Sequence, residues 1–401
     1  MAVKFTKPEI NVREKISELD KPSGIAGEAM LRAETPQEQQ ALIGVGRRNL
    51  IINGANQVNQ RGTVTGINTA AFTYGGPDRR NLYVNQAGGA AFSISQGTSG
   101  PDQFIHTCRI DCTTAGGALT GGQEIKSEQA IEAYDVSGVG FGTPSAKSLT
   151  VSFWVKSNQA ATYVLWLYRA DGSRHNSDVY SINSANTWEF KTLTFAPDHS
   201  NTVAVDNSTG LGVAFILNTG PTFSNGTSPK GNWQALTSGN RYAGQTATIG
   251  SSTSDYFEYT GLQVETGKVA TPFEHRSYGE ELALCQRYFC SSFPTGTAPA
   301  HGLNINYQGV AGWTTFSSTA ARSPFIYYPV TMRATPSLTL YSCANDTSGQ
   351  WGIYTGSWDG SSTQATDSTN KNFNVRINSG ISGAINQSYL IRGNWTASSE
   401  L

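Results

Sequence analysis

The sequence has few charged residues and no long apolar run. Asp, Glu, Lys and Arg make up 14% of the chain, against roughly a quarter in an average soluble domain. This composition disfavours a helical bundle. With a formal net charge of −1 and no basic stripe, the chain gives no support to nucleic-acid binding. The apolar runs are too short for a membrane-spanning helix, so membrane insertion is not expected.

Motifs of catalysis and metal binding are missing as well. The chain has no Gly-x-Ser-x-Gly elbow, no His-Glu-x-x-His and no phosphate-binding Gly-x-x-x-x-Gly-Lys. Its five histidines are scattered, and the pairs Cys108/Cys112 and Cys285/Cys290 have spacings that fit a zinc site poorly, which favours buried thiols. We therefore predict no enzyme, no catalytic residue, no cofactor and no metal. A glycan-degrading enzyme, which needs two carboxylates in a cleft, is the weakest alternative.

Residues 1–48 differ in kind from the rest of the chain. They are rich in charge, and prolines at positions 8, 22 and 36 permit only short helices. Thr35-Pro36-Gln37-Glu38 has the form of a helix start, with Thr35 as N-cap. Such a segment cannot bury a core, so it is either a floppy tail or an arm that orders against partner chains. The first residues lack the apolar core of a signal peptide, so export is not expected.

From residue 49 the chain is rich in Gly, Ser, Thr and Asn and reads as short strands joined by polar turns. The clearest strand is 149–156, LTVSFWVK, whose alternation turns Phe153 toward the core and Trp154 to the opposite face. Strands are predicted at 127–134, 149–156, 162–169, 188–195, 211–217 and 256–265, and then at 303–307, 313–317, 325–328, 337–341, 373–377 and 388–391. A short helix is predicted within 279–289.

The predicted fold class is mostly β. A short, partly helical N-terminal arm (1–48) is followed by an antiparallel jelly-roll sandwich (49–276), a hinge with a short helix (277–289) and a second, smaller β-sandwich (290–401). No segment with helical periodicity interrupts the strands of either β-region. The hinge separates two regions that both consist of predicted short strands joined by polar turns, so one β-domain is expected on each side of it.

Aromatic side chains are the candidate ligand-binding groups. Trp154 is predicted opposite the core beside Thr150 and Ser152, and Trp166 and Tyr168 share one face of the next strand. A flat aromatic surface with short polar neighbours suits the apolar face of a sugar ring. In the segment 349–360, glycines around Trp351, Tyr354 and Trp358 favour an exposed loop. The alternative is that all of these rings bury against a covering loop, a second protomer or another domain.

Two segments carry a family resemblance. QVETGKVATPFEHRSYGEELALCQRYF resembles a segment of tailed-phage virion proteins, particularly those of marine and cyanobacterial phages, where it closes a jelly-roll domain similar to carbohydrate-binding modules. RRNLIINGANQVNQRGT resembles the start of that domain, and AETPQEQQALIGVG resembles a helix and glycine turn of trimeric phage fibres. The family often has Asp-Arg-Trp where this chain has Pro77-Asp78-Arg79-Arg80-Asn81, so the packing there cannot be carried over.

The resemblance implies a virion component that is made in the host cytoplasm and assembled as a homotrimer. Residues 1–48 would attach it to other virion proteins, through the apolar side chains Phe5, Ile10, Val12, Ile16, Leu19, Leu42 and Ile43. The leading hypothesis is a tail fibre or appendage whose β-domains contact host cell-surface polysaccharide. The alternative is a non-binding structural protein, such as a head fibre, a capsid decoration or a tail-assembly protein.

Overall fold

The structure is a computed structural model that describes residues 47–86, 88–302, 311–315, 320–342, 349–354, 358–377 and 388–401. The chain divides into two compact units, Met1–Arg48 and Asn49–Leu401, and the architecture given below is that of the second. The predicted helix after Thr35 lies outside the described residues, as do the seven arm residues proposed for attachment. The predicted strand at 303–307 lies outside them too.

The second unit is built almost entirely from antiparallel strands. In chain order the elements of its first part are β1 (Val64–Ile67), β2 (Thr73–Tyr74), β3 (Asn81–Asn85), β4 (Ala91–Gly97), β5 (Thr107–Thr114), β6 (Glu124–Glu132), α1 (Ala133–Val136), β7 (Leu149–Ser157), β8 (Thr162–Arg169), β9 (Arg174–Ser181), β10 (Glu189–Phe195), β11 (Thr209–Thr219), α2 (Pro221–Ser224), β12 (Gln234–Ala235) and β13 (Tyr256–Thr266). Short 3-10 turns occupy Ser137–Val139 and Ser238–Asn240.

The remaining elements begin with a short helix. In chain order they are α3 (Tyr278–Gln286), β14 (Phe289–Ser291), β15 (Ala311–Thr315), β16 (Ala321–Arg322), β17 (Ile326–Tyr327), β18 (Ser337–Tyr341), β19 (Gln350–Tyr354), β20 (Trp358–Thr366), β21 (Asn372–Ile377), β22 (Ser388–Arg392) and β23 (Asn394–Ser398). The predicted helix is thus found as α3, and the Ser277 side chain caps it by accepting a hydrogen bond from the Glu280 N–H.

Four sheets result from these strands. Sheet A has the order β1-β4-β5-β13-β7-β10 and sheet B the order β12-β9-β8-β11-β6-β3-β2. Sheet C has the order β14-β23-β18 and sheet D the order β16-β15-β22-β19-β20-β21-β17. The predicted mostly-β, antiparallel, sandwich-like fold class is therefore confirmed. The boundaries placed at 276 and 290 stay a prediction.

The core between sheets A and B follows from the alternation of β7. Val151, Phe153 and Val155 are fully buried on its inner side. The ring of Phe153 meets that of Phe215 of β11 at 4.8 Å between centroids, and Phe215 meets Tyr259 of β13 at 4.5 Å. Edge-to-face and tilted packing of this kind joins the two sheets into one apolar layer.

Several strands escaped prediction because their sequences are polar. In β5, TCRIDCTT, the apolar positions alternate with the charged residues Arg109 and Asp111, whereas β9, RHNSDVYS, has no such alternation. At the other end, the strand predicted through residue 134 stops at Glu132, because residues 133–136 form α1. The alternate apolar side chains of β5 lie in the hydrophobic core, whereas β9 buries polar side chains as well, among them His175 and Asn176.

The segment Asp78-Arg79-Arg80 buries three charged side chains. Arg80 donates to the Asn56 and Gln129 side chains and to the Asn53 carbonyl. Arg79 pairs with Glu400 and donates to a carbonyl of β6. Each guanidinium therefore has compensating acceptors, which is what allows it to remain charged inside the protein.

Candidate ligand-binding face

The outer face of sheet A, on the side away from the core, carries the first predicted candidate. Trp154 projects there from the middle of β7, as the alternation of LTVSFWVK predicts, and is half-buried. The register places Phe190 of β10 beside it on one side and Thr260 of β13 on the other. One cross-strand row of this face is therefore Phe190, Trp154 and Thr260.

Trp154 and Phe190 form a corner rather than a flat platform. Their ring centroids are 5.4 Å apart and the ring planes are inclined at 53°. Phe190 is 49% exposed although it is a large apolar side chain. The expected flat aromatic surface is thus corrected to two tilted rings, which can enclose a ligand from two sides.

A loop at residues 98–106 crosses this face and closes the corner. The Trp188 indole N–H donates to the Ser99 carbonyl at 3.1 Å, and the Thr260 hydroxyl donates to the His106 carbonyl at 2.7 Å. Between these anchors, the Phe104 ring packs edge-on against Phe273 at 5.0 Å. Hydrogen bonds at both ends and a buried ring in the middle hold the loop in one conformation.

The loop and the corner together form a pocket of about 210 Å³, called here the aromatic pocket. Its lining residues are Gln103, Phe104, Ser152, Trp154, Phe190, Gly261, Thr271, Pro272 and Phe273. A second pocket, of about 430 Å³, is formed by loop residues between Thr98 and Ile105 and shares Gln103 and Phe104 with the first. Both are open to solvent beside the outer face of sheet A.

Gly261 makes the aromatic pocket possible. It has φ +61° at a register irregularity between β13 and β7, where Thr260 and Gln263 are the flanking paired residues. A Cβ at this position would lie 2.7 Å from the Phe104 ring. A glycine inside a strand often marks a bulge and a close approach. Here it lets the Phe104 ring lie directly on the β13 backbone.

Beyond the aromatic pocket, the outer face carries charges that are paired with each other. Glu258 is fully buried, and its carboxylate lies 2.8 Å from the Lys156 ammonium and 3.2 Å from the Arg109 guanidinium. It also accepts a hydrogen bond from the Thr107 hydroxyl at 2.6 Å. Arg109 also pairs with Asp111 at 2.7 Å. Lys156 and Arg109 are therefore both paired with carboxylates of their own sheet.

Aromatic rings flank this network. The Lys156 ammonium lies 4.6 Å from the Trp188 ring, and the Arg109 guanidinium lies 4.3 Å from the Tyr256 ring. Burial raises the pKa of Tyr256, so its phenol is neutral and donates to the Asn186 side chain at 2.8 Å. The far end of the face is thereby ordered as well.

Trp166 and Tyr168 share a face, as predicted, but it is the outer face of sheet B. Their rings stack at 5.1 Å with a 16° angle between planes. Trp166 is only 4% exposed, because the Tyr242 ring covers it at 5.7 Å and the Lys126 ammonium lies 4.8 Å above it. The hypothesis that Trp166 offers its face to a sugar is corrected: residues 221–245 cover that ring.

The predicted exposed loop around Trp351 is also corrected. Trp351 lies in β19, is fully buried, and donates from its indole N–H to the Asn394 carbonyl at 3.2 Å. Tyr354 and Trp358 are backbone partners where β19 pairs with β20, and their side chains lie outside the described residues. Since Trp351 belongs to the core with Phe373, replacing it would damage folding rather than report on a ligand.

The sequence interpretation missed most of the aromatic pocket. Phe190 follows Trp188 at strand spacing, so its position on the same face as Trp154 was readable from alternation. Gly261 inside YFEYTGLQVET was a readable bulge signal. Phe104 and Phe273 lie in segments without periodicity, so nothing in their sequence pointed to this site.

The described part of the chain contains neither a cluster of metal-ligating side chains nor a helix of membrane-spanning length and hydrophobicity. No group of three or more His, Cys, Asp or Glu side chains is placed there to hold a metal ion. Burial raises the pKa of Cys108 and that of Cys290 to about 12, so both stay neutral thiols in the core. Among the helices that the structure describes, none is long and apolar enough to cross a membrane.

Comparison with known proteins gives structural likeness only. No family model and no curated protein matches the chain. Among solved structures, an enzymatically active domain of tailspike protein 4 from bacteriophage CBA120 is 12% identical with a TM-score of 0.29, and the match covers 55% of this chain and 21% of the tailspike chain.

Carbohydrate-binding modules match the same share of the chain. A family 4 module is 14% identical with a TM-score of 0.26, covering 54% of this chain and 98% of the module. A family 61 module in complex with β-1,4-galactotriose is 10% identical with a TM-score of 0.24, covering 55% and 99%.

Proposed function

We propose that this protein is a structural component of a phage virion, a tail fibre or related appendage, and that it binds a host-surface glycan in the aromatic pocket. The single observation that supports binding is the corner formed by Trp154 and Phe190, which the loop at 98–106 completes into a solvent-accessible pocket of about 210 Å³. Sugar rings present apolar faces that pack on aromatic rings and hydroxyls that bond short polar groups. The pocket supplies both.

The virion role is supported by the resemblance of the segments that begin at Arg47 and Gln263 to those of phage virion proteins. In the structure these segments meet: the Asn49 N–H donates to the Glu274 carboxylate at 2.6 Å, and the Val264 N–H donates to the Asn49 side chain at 3.0 Å. In this proposal the protein acts without catalysis, is made in the host cytoplasm and resides in the virion.

Substitutions in the aromatic pocket test the binding proposal. Trp154→Ala and Phe190→Ala are each expected to weaken binding on an array of immobilised glycans by about tenfold or more. Phe325→Ala is the matched control, because Phe325 is 50% exposed, as Phe190 is at 49%, and lies in the other β-region. Circular dichroism and thermal unfolding establish that the variants remain folded.

A non-binding structural role is the second candidate. Phe325 is 50% exposed and Tyr327, of edge strand β17, is 69% exposed, as expected for side chains that pack against another chain of a particle. If Phe190→Ala binds every glycan as the native protein does while Phe325→Ala or Tyr327→Ala lowers incorporation into particles, this second function replaces the first.

Residues 1–48 are proposed as the attachment arm and the protein as a homotrimer. The oligomeric mass of the full chain, compared with that of a chain lacking residues 1–48, tests both. A trimer that survives the deletion and no longer enters particles supports the arm as the docking element. A trimer lost with the arm would make residues 1–48 the assembly element, and a monomer in both cases would overturn the trimeric fibre.

A further inference from the structure

We infer that the aromatic pocket selects an uncharged sugar, recognised as a single ring at a chain end or branch. This inference rests on the proposed function and specifies its ligand class. It is drawn from three properties of the site: the absence of charge in the pocket wall, the pairing of Lys156 and Arg109 on the same outer face, and the tilt of the two principal rings.

The nine residues that line the aromatic pocket are all uncharged. Polar groups on this wall include the Ser152 hydroxyl and the Gln103 amide, and within the described ranges neither side chain has a hydrogen-bond partner in the protein. Such groups bond sugar hydroxyls but cannot replace the hydration of a carboxylate or sulfate, whose burial without a counter-charge is costly. The wall therefore disfavours acidic sugars.

Lys156 of β7 and Arg109 of β5, which share the outer face with Trp154, are already engaged in ion pairs. Lys156 follows Trp154 by two residues on β7, but its ammonium lies 2.8 Å from the Glu258 carboxylate. Arg109 divides its contacts between Glu258 and Asp111. Drawing either one toward an anionic ligand would remove one of the two cations that compensate the fully buried Glu258.

A buried carboxylate behind the pocket adds to this selection. Glu265 is 3% exposed and accepts a hydrogen bond from the hydroxyl of the lining residue Thr271 at 2.6 Å. Its negative charge lies immediately behind the wall, where the low dielectric of the interior extends its field. An anionic ligand would be repelled, whereas an uncharged ring would not be affected.

The size and shape of the pocket point to one ring. Its volume of about 210 Å³ is smaller than that of pockets that enclose drug-sized ligands, roughly 300 to 1,000 Å³. Trp154 and Phe190 at 53° cannot stack on two successive, coplanar units of one chain. They can enclose two sides of a single ring while Ser152 and Gln103 reach its hydroxyls.

Glycans that share a linkage and differ in the charge of one group test this inference. Manno-oligosaccharides and mannuronate oligosaccharides of matched length share the β-1,4 linkage and differ in oxidation at C6. Placed on one glycan array with other neutral and acidic sugars, neutral members are expected to bind at least about tenfold more tightly than their charged counterparts. Their affinity should not change between about 50 mM and about 500 mM NaCl. Free monosaccharide should compete for the site.

The other outcomes are distinct. Binding confined to uronate or amino sugars, or weakened steeply by salt, would overturn the uncharged-ring inference and leave glycan binding in place. No binding to any glycan would overturn both. A rim substitution gives an independent check: Gln103→Lys should raise affinity for the uronate member of a pair, while Gln103→Glu should not. Equal responses to the two substitutions would contradict the electrostatic selection.

Discussion

The ring of Phe104 lies on the backbone of Gly261, so close that a Cβ at position 261 would approach it to 2.7 Å. This contact joins the loop at 98–106 to β13 and sets the depth of the aromatic pocket. Gly261 also has φ +61°, a backbone conformation that residues other than glycine adopt only with strain. One position therefore controls both the backbone path of β13 and the wall of the site.

Gly261→Ala should remove glycan binding by expelling Phe104. The methyl group cannot share the space of the ring, so the loop must shift and the wall of the pocket is lost. Strain from the positive φ adds about 1–2 kcal/mol to the loss of unfolding free energy. Calorimetric titration with the best array ligand measures the first effect, and urea denaturation the second.

Gly66→Ala is the matched control for this substitution. Gly66 has φ +70°, close to that of Gly261, but a Cβ there would meet no atom within 4 Å. It should therefore show the strain without any loss of binding. If the two variants bind alike, the Phe104–Gly261 contact does not set the pocket.

Glu400→Gln should destabilise the protein strongly. Glu400 pairs with Arg79, whose side chain is 1% exposed, and with Arg61 at 2.7 Å. Removing the carboxylate leaves the buried Arg79 guanidinium uncompensated, a change that costs about 3–5 kcal/mol in comparable buried pairs. Chemical denaturation measures the loss.

The control is Asp367→Asn, which removes the partner of Arg322 at 3.3 Å. Those side chains are 50% and 45% exposed, so the change should cost about 0–1 kcal/mol. Equal costs for the two substitutions would mean that the Arg79 guanidinium finds other compensation when Glu400 is neutral.

Sequence reasoning succeeded where one face of a strand is apolar. Alternation in β7 fixed both the core position of Phe153 and the outward position of Trp154. It failed for Trp351, because glycines at 349, 352 and 356 suggested a loop although the neighbouring strands pair through their backbones. It could not find the Phe104–Gly261 contact, which joins residues more than 150 positions apart. Long-range packing of this kind leaves no local pattern.

Asp78→Asn should change how stability depends on pH. Burial raises the pKa of Asp78 to about 6 from 3.8, against the opposing effects of Arg61 and of hydrogen bonds from Gln60. The folded protein then binds a proton more tightly than the unfolded chain, so Asp78 lowers the free energy of unfolding as pH rises from about 4 to about 6. Between pH 5 and pH 7 this contribution is about 1 kcal/mol.

The comparison is made by urea denaturation of both proteins at pH 5, 6 and 7. Relative to the native protein, Asp78→Asn should become progressively more stable as pH rises. The window lies above the range in which ordinary carboxylates titrate, which keeps most other groups constant. A constant difference between the two proteins across the window would show that Asp78 does not titrate there.

His175 should act in the opposite direction. The Trp166 indole N–H donates to its Nδ1 at 3.3 Å, and Gln234 lies 3.1 Å from its Nε2. Burial, with Arg241 and Arg174 nearby, lowers the pKa of His175 to about 4 from 6.5. Between those values the unfolded chain binds more protons than the folded protein, so stability rises with pH and is lost as pH falls from about 6.5 to about 4.

Protonation would place a proton on Nδ1, which could then no longer accept from Trp166. We expect acid to loosen the cover that Tyr242 forms over that indole, and to increase quenching of tryptophan fluorescence by acrylamide near pH 4. His175→Gln removes the titrating group, so this acid-dependent increase should disappear. Because Asp78 and His175 have opposing slopes, His175→Gln should also expose the fall in stability with rising pH that Asp78 produces. An unchanged acid response in the variant would assign the transition to another group.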